Sequence, residues 1–149
     1  MIVKLLLFFL LMMIALLHAY WAIGGKACLQ AAWPRDLTWF FQMKQPLRFG
    51  LSFFGIAPLA LVFFIAAMIL YPDCFPFFER FYPHFCLIAG VTFILRGVSG
   101  PLINILAFSQ FFKSQRQQQV VDTFIYWNSY LYSPLAFLMG LLFLLVYVL

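Results

Sequence analysis

Charge is scarce in this sequence. Only 9% of the 149 residues are Asp, Glu, Lys or Arg, and only four of these are acidic. A water-soluble domain carries about 25% charged residues. With 66% hydrophobic residues and 21 Phe, the chain has too little polar surface to cover a soluble globule, and composition excludes a separate soluble domain. Basic stripes with interleaved aromatics are also missing, so the net charge of +5 does not point to nucleic acid. The charges sit in short segments where topology signals sit. Cysteine is sparse. Cys28, Cys74 and Cys86 form no Cys-x-x-Cys pair, and His18 and His84 stand at no ligand spacing to them, so no metal or cofactor is implied. Free thiols are the expected state, although a Cys74–Cys86 disulfide is compatible with the spacing.

What the sequence does have is long uncharged runs: 5–25, 49–72 and 123–149, with a fourth from 81 to 112 broken only by Arg96. Each reaches or exceeds the roughly 20 residues that cross a bilayer as a helix. The expected fold is an all-α integral membrane protein of one domain over residues 1–149. Four transmembrane helices, about 3–23, 49–71, 84–108 and 126–148, form an antiparallel bundle. The first run resembles a signal peptide, but bulky His18, Tyr20 and Trp21 occupy the place of a small-x-small cleavage site, so it is read as an uncleaved span. Lys26, Arg35, Lys44 and Arg48, with Lys113 and Arg116, fall on one side; Lys4 and Arg80 fall on the other. The positive-inside rule then puts both basic loops in the cytoplasm and both termini outside. Within the first loop, Pro34 suits a helix start. Leu37, Phe40, Phe41 and Lys44 share a helical face, which predicts a short helix lying in the interface.

Three polar clusters interrupt the apolar runs. The first is His18 to Gly25, with Tyr20 and Trp21. The second is Arg96 to Leu102, with Ser99 and, further on, Asn104. The third is Asp122 followed by Asn128 to Pro134, with Tyr130, Tyr132 and Ser133. The expected topology places all three in the inner half of the bilayer. Arg96 dominates, because a guanidinium stays charged and must find partners or water at a cost of roughly 2.5–3.5 kcal/mol. Thr92, Arg96, Ser99, Ile103 and Asn104 share a helical face, and a polar face is expected to point into the bundle. Arg96 is expected to bond to His18, Ser99, Asn104 and the tyrosines of the last span. Each residue also has a plainer reading: a structural pin for Arg96, close helix packing for Gly97 and Gly100, a backbone-bonded interfacial ring for His18, and an aromatic belt for Tyr20, Trp21, Tyr126 and Trp127.

At these residues the chain resembles a family of small bacterial four-helix membrane proteins of unknown function. That family has an H-x-Y-W-x-x-G-G motif ending the first helix, L-R-G-x-x-G in the third and Y-S-P-L opening the last. The matches here are HAYWAIGG from His18, LRGVSG from Leu95 and YSPL from Tyr132. Pro101 and the Ala136–Leu138 stretch depart from the family pattern. The resemblance implies four helices in the bacterial cytoplasmic membrane and implies no activity.

Three functions compete. In the first, a lipid or other amphiphile docks against Arg96, with His18, Tyr20, Trp21, Ser99, Asn104, Asp122, Tyr130, Tyr132 and Ser133 as candidate lining. In the second, the chain is an accessory or structural subunit that partners another membrane protein or itself within the lipid bilayer. In the third, it is a membrane enzyme with His18 as acid or base, oriented by Asp122. The sequence offers no paired carboxylates, no metal set and no nucleophile beside a base, which weighs against catalysis.

Overall fold

The computed structural model describes residues 1–25, 28–29, 45–108 and 122–149; side chains are described for 1–25, 28–29, 54–100, 102 and 122–149. The expected interfacial helix after Pro34 and the Lys113–Arg116 loop lie outside these residues.

Helices account for almost all of the described chain, and no strand occurs among the described residues. α1 spans Ile2–Ala22, α2 Gln45–Ile69, α3 Tyr82–Phe108 and α4 Asp122–Val148. A 3-10 turn, Pro76–Phe81, leads into α3 and carries the aromatic connector. α1 and α4 are long and apolar enough to cross a membrane, as is the Pro76–Gly100 stretch. The described apolar part of α2, Phe54–Ile69, is shorter. At about 1.5 Å per residue, the 21-residue α1 is close to the roughly 30 Å hydrocarbon thickness.

α1 packs mainly along α2, and α3 along α4; α1 also touches α4. The apolar core joins all four helices near the end that carries both termini. Leu7 and Leu11 of α1, Ala67 of α2, Leu70 just beyond it, Cys86 of α3 and Phe143 of α4 are each 0% exposed there. Phe143 stacks on Phe93 with centroids 5.8 Å apart and meets Phe85 edge-on at 5.7 Å, a favoured pair of aromatic geometries. The three cysteines are free thiols, with Cys86 buried and Cys28 and Cys74 exposed.

Glycine sets the α3–α4 contact. Gly90, Gly97 and Gly100 recur on one face of α3, and Gly140 answers from α4. A Cβ on Gly97 would lie 2.7 Å from the backbone nitrogen of Phe137, and one on Gly140 would lie 2.7 Å from that of Ile94. The contacts run Gly90 to Leu144, Gly97 to Phe137 and Gly100 to Ser133, so the two helices are antiparallel. Their backbones touch where side chains are missing. This seam, rather than the polar face, occupies the interface on α3. Thr92 and Arg96 are exposed and Ser99 is half-buried. The expectation that the Thr92–Arg96–Ser99 face points inward is corrected: the glycines, one step round the helix, permit closer approach and take the inner position.

Candidate functional site

Arg96 sits at the flank of the glycine seam, at the middle of α3. Its Nη2 donates to Asn128 Oδ1 at 2.7 Å. Asn128 Nδ2 in turn donates to the Gly100 carbonyl at 3.3 Å. Asn128 is 1% exposed, so the amide is a buried clamp tying guanidinium to α3 backbone. Gly100 makes room for this. A Cβ there would overlap both Ser133 Oγ and Arg96 Nη1, which places the serine hydroxyl and the second guanidinium nitrogen side by side over the same glycine. Ser133 is 2% exposed and its hydroxyl has no hydrogen-bond partner.

The local backbone of α4 explains how Asn128 arrives there. Residues Asn128–Tyr132 form a π turn. Ser133 N–H donates to the carbonyl of Asn128, five residues back. The next residue, Pro134, has no N–H and its ring opposes the carbonyl four residues back, at Tyr130. The helical ladder therefore widens by one residue just before the proline, as in the π-bulges that recur at functional sites. The widening places Asn128 and Ser133, which are five apart, on one side of the helix facing Gly100.

Chemically, the cluster donates. A guanidinium has five N–H groups and no acceptor. Among the described residues, its one hydrogen bond is that to Asn128. Asn128 is satisfied at both ends by Arg96 and Gly100. The remaining guanidinium N–H groups and the Ser133 hydroxyl are what the site can offer to a ligand. Of the described acidic residues, Asp73 and Glu79 lie in the connector between α2 and α3. Asp122 is exposed at the start of α4.

The expected residues divide between two places. His18 belongs to the α1–α2 side. Its Nδ1–H donates to the Ile14 carbonyl at 2.8 Å. Its ring rests against Trp21, 5.1 Å away, and Phe63 of α2, 5.3 Å away. Trp21 is buried, while Tyr20 is exposed at the helix end. The Gly24-Gly25 pair closes α1. Gly24 N–H bonds to Trp21 O and Gly25 N–H to Tyr20 O, the paired bonds of a Schellman stop. Gly24 has φ +95°, a conformation that favours glycine. A Cβ on Gly25 would overlap the Tyr20 ring. The first motif is thus a helix end fitted to α2, and the backbone-bonded reading of His18 is the one its hydrogen bond supports.

Arg96, Ser99 and Ser133 stand on the α3–α4 side. Tyr130 is 73% exposed, with its ring centroid 4.9 Å from that of Tyr126, and the guanidinium bonds to Asn128 rather than to a tyrosine. Tyr132 is half-buried, within electrostatic range of the Cys28 thiol beyond α1. Asn104 lies in α3, but its side chain falls outside those described. Asn128 stood in the third polar cluster but outside the candidate lining, and it is the residue that bonds Arg96. The available signal was Pro134, whose missing N–H makes a ladder shift just upstream the natural outcome. A cavity of about 420 Å³, lined by Lys4, Tyr82 and Val146 among others, contains none of these residues.

Long apolar helices with a cation clamped in mid-helix are the make-up of a small multi-helix membrane protein. The chain belongs to a family described as "Protein of unknown function (DUF3995)", which matches residues 11–143 and so takes in all three polar clusters. No curated protein and no solved structure gives a significant match.

Proposed function

We propose that the chain is a four-span antiparallel bundle of the bacterial cytoplasmic membrane that binds a polar-headed amphiphile at Arg96. Both termini face outward in this reading, as the six-to-two division of basic residues across the membrane suggests. Terminal fusions test this orientation. A fluorescent carboxy-terminal fusion together with an inactive phosphatase fusion at the same point would overturn it.

The observation that carries the binding reading is the incomplete satisfaction of Arg96. A structural pin needs its donors used up by protein. Among the described residues, this mid-helix guanidinium is bonded to Asn128 alone, is exposed on its other side and keeps N–H groups to spare. A ligand gains affinity only from contacts that the empty protein lacks, and this cluster supplies them. The exposed residues Ile88, Val91, Leu95, Val98 and Leu102 of α3 flank it with an apolar surface for a hydrocarbon chain.

The test is thermal stability in detergent with added membrane lipids, comparing wild type with Arg96→Gln. A ligand at a hundredfold excess over its dissociation constant stabilises the folded form by about 2.7 kcal/mol. A lipid-dependent rise in Tm that disappears in Arg96→Gln supports the site. Identical responses in both proteins, or none with any lipid, would favour the accessory-subunit reading.

A further inference from the structure

We infer that the headgroup the Arg96 site takes is a single carboxylate, and that its ligand is a long-chain carboxylic acid rather than a phospholipid. The inference rests on the amphiphile reading above and narrows it by charge, shape and depth.

Charge comes first. The site presents one cation, and the described acids, Asp73, Glu79 and Asp122, lie in the connector before α3 or at the start of α4. Among the described residues, a second copy of the chain has no mid-helix carboxylate to offer. A monoanion leaves the pair neutral inside the hydrocarbon. A doubly charged phosphomonoester would leave one uncompensated charge there, which is costly in a low-dielectric surrounding.

Shape agrees. A guanidinium edge presents two parallel N–H groups that match the two oxygens of a carboxylate. The Asn128 clamp holds one nitrogen, Nη2, and so fixes the plane of the fork. The Ser133 hydroxyl is the second donor. It is buried, unpartnered and beside Nη1 over Gly100. When a carboxylate swings Nη1 off Gly100 while Nη2 stays on Asn128, this O–H is placed to donate to the same headgroup. An unpaired buried hydroxyl destabilises the empty protein, and occupancy removes that penalty.

Depth decides between lipid classes. Arg96 lies near the middle of the 27-residue α3, roughly 20 Å from either end at about 1.5 Å per residue. The headgroup of a phospholipid resides about 15 Å from the midplane and keeps its charge in the descent. A carboxylic acid can enter the hydrocarbon protonated, release its proton to water and pair with Arg96 as the carboxylate. The neutral form removes most of the desolvation penalty on the way in.

The experiment uses the purified full chain in detergent with three probes: palmitate, methyl palmitate and phosphatidylglycerol. Melting temperature is read for wild type, Arg96→Gln and Ser133→Ala. Palmitate is expected to raise the Tm of wild type, and methyl palmitate, which lacks the anion, is not. Arg96→Gln should abolish the palmitate response. Ser133→Ala should keep the empty protein's Tm or raise it slightly, and weaken palmitate about tenfold, the loss of one hydrogen bond to a charged group. If Arg96→Gln does not fold, Ser133→Ala and the carboxyl resonance of isotope-labelled palmitate on wild type still decide the matter. An unmoved resonance, an undiminished Ser133→Ala response or an equal response to methyl palmitate overturns the carboxylate assignment. An Arg96-dependent response to phosphatidylglycerol alone also overturns it but preserves the amphiphile reading. No Arg96-dependent response to any probe removes both.

Discussion

His18 and Arg96 are both polar residues set in apolar helices, and they end up in opposite conditions. His18 turns back on its own helix: its Nδ1–H goes to Ile14, and its ring rests against Trp21 and Phe63. Arg96 is exposed and, among the described residues, bonded at one nitrogen alone, to Asn128. A polar group whose hydrogen bonds close locally serves architecture. One held in position with donors left over is poised to meet something else. Residue type alone does not tell these apart, since an imidazole is as plausible a functional group as a guanidinium. The distinction comes from counting partners.

Substitutions can break or sharpen the contrast, and the largest effect is expected at the seam that carries Arg96. In Gly97→Val the side chain would drive into the backbone of Phe137, where even a Cβ lies 2.7 Å from its nitrogen and 2.8 Å from its Cα. Overpacking against backbone costs about 3 kcal/mol. Loss of folded, monodisperse protein in size-exclusion chromatography is the expected result.

Next comes Asn128→Ala, which strips Arg96 of its clamp and leaves the Gly100 carbonyl unpaired. A drop of about 2 kcal/mol is expected from unmet buried groups, read as a lower Tm. The lipid response should weaken with it, since the guanidinium is no longer oriented. A smaller loss, about 1 kcal/mol, is expected for Gly24→Ala, which forces a Cβ into left-handed backbone at the end of α1. His18→Phe should cost a similar amount through the lost bond to Ile14. Both α1 variants should leave the lipid response intact. A lost response in His18→Phe with the Tm preserved would erase the contrast between the two motifs. The smallest change is Ser133→Ala: the empty protein should hold its Tm or gain slightly, because the hydroxyl has no partner to lose.

The helices were legible in the sequence because hydrophobic runs and charge punctuation follow directly from the physics of a bilayer. The end of the first helix was legible from Lys26, where the uncharged run stops, and from the family motif that closes on Gly24-Gly25. Arg96 stood out because its charge cannot be removed. Three things were not legible. The face of α3 that turns inward was assigned by polarity, yet Gly90, Gly97 and Gly100 claimed it by allowing backbone contact. His18 was grouped with Arg96 by depth along the span, and depth says nothing of which helices pair. Asn128 stood in the third cluster without being paired to Arg96, because a regular helix puts it out of step with Ser133; only the π turn upstream of Pro134 brings both to Gly100.

The most direct measurement is an experimental density map of the full chain reconstituted in lipid nanodiscs, with an antibody fragment added for size. The account predicts non-protein density against the open edge of the Arg96 guanidinium, continuous with a chain lying along the exposed face of α3, and none against His18. A map in which every Arg96 N–H is met by protein, with no density beside it, would contradict a binding site and make Arg96 a structural pin.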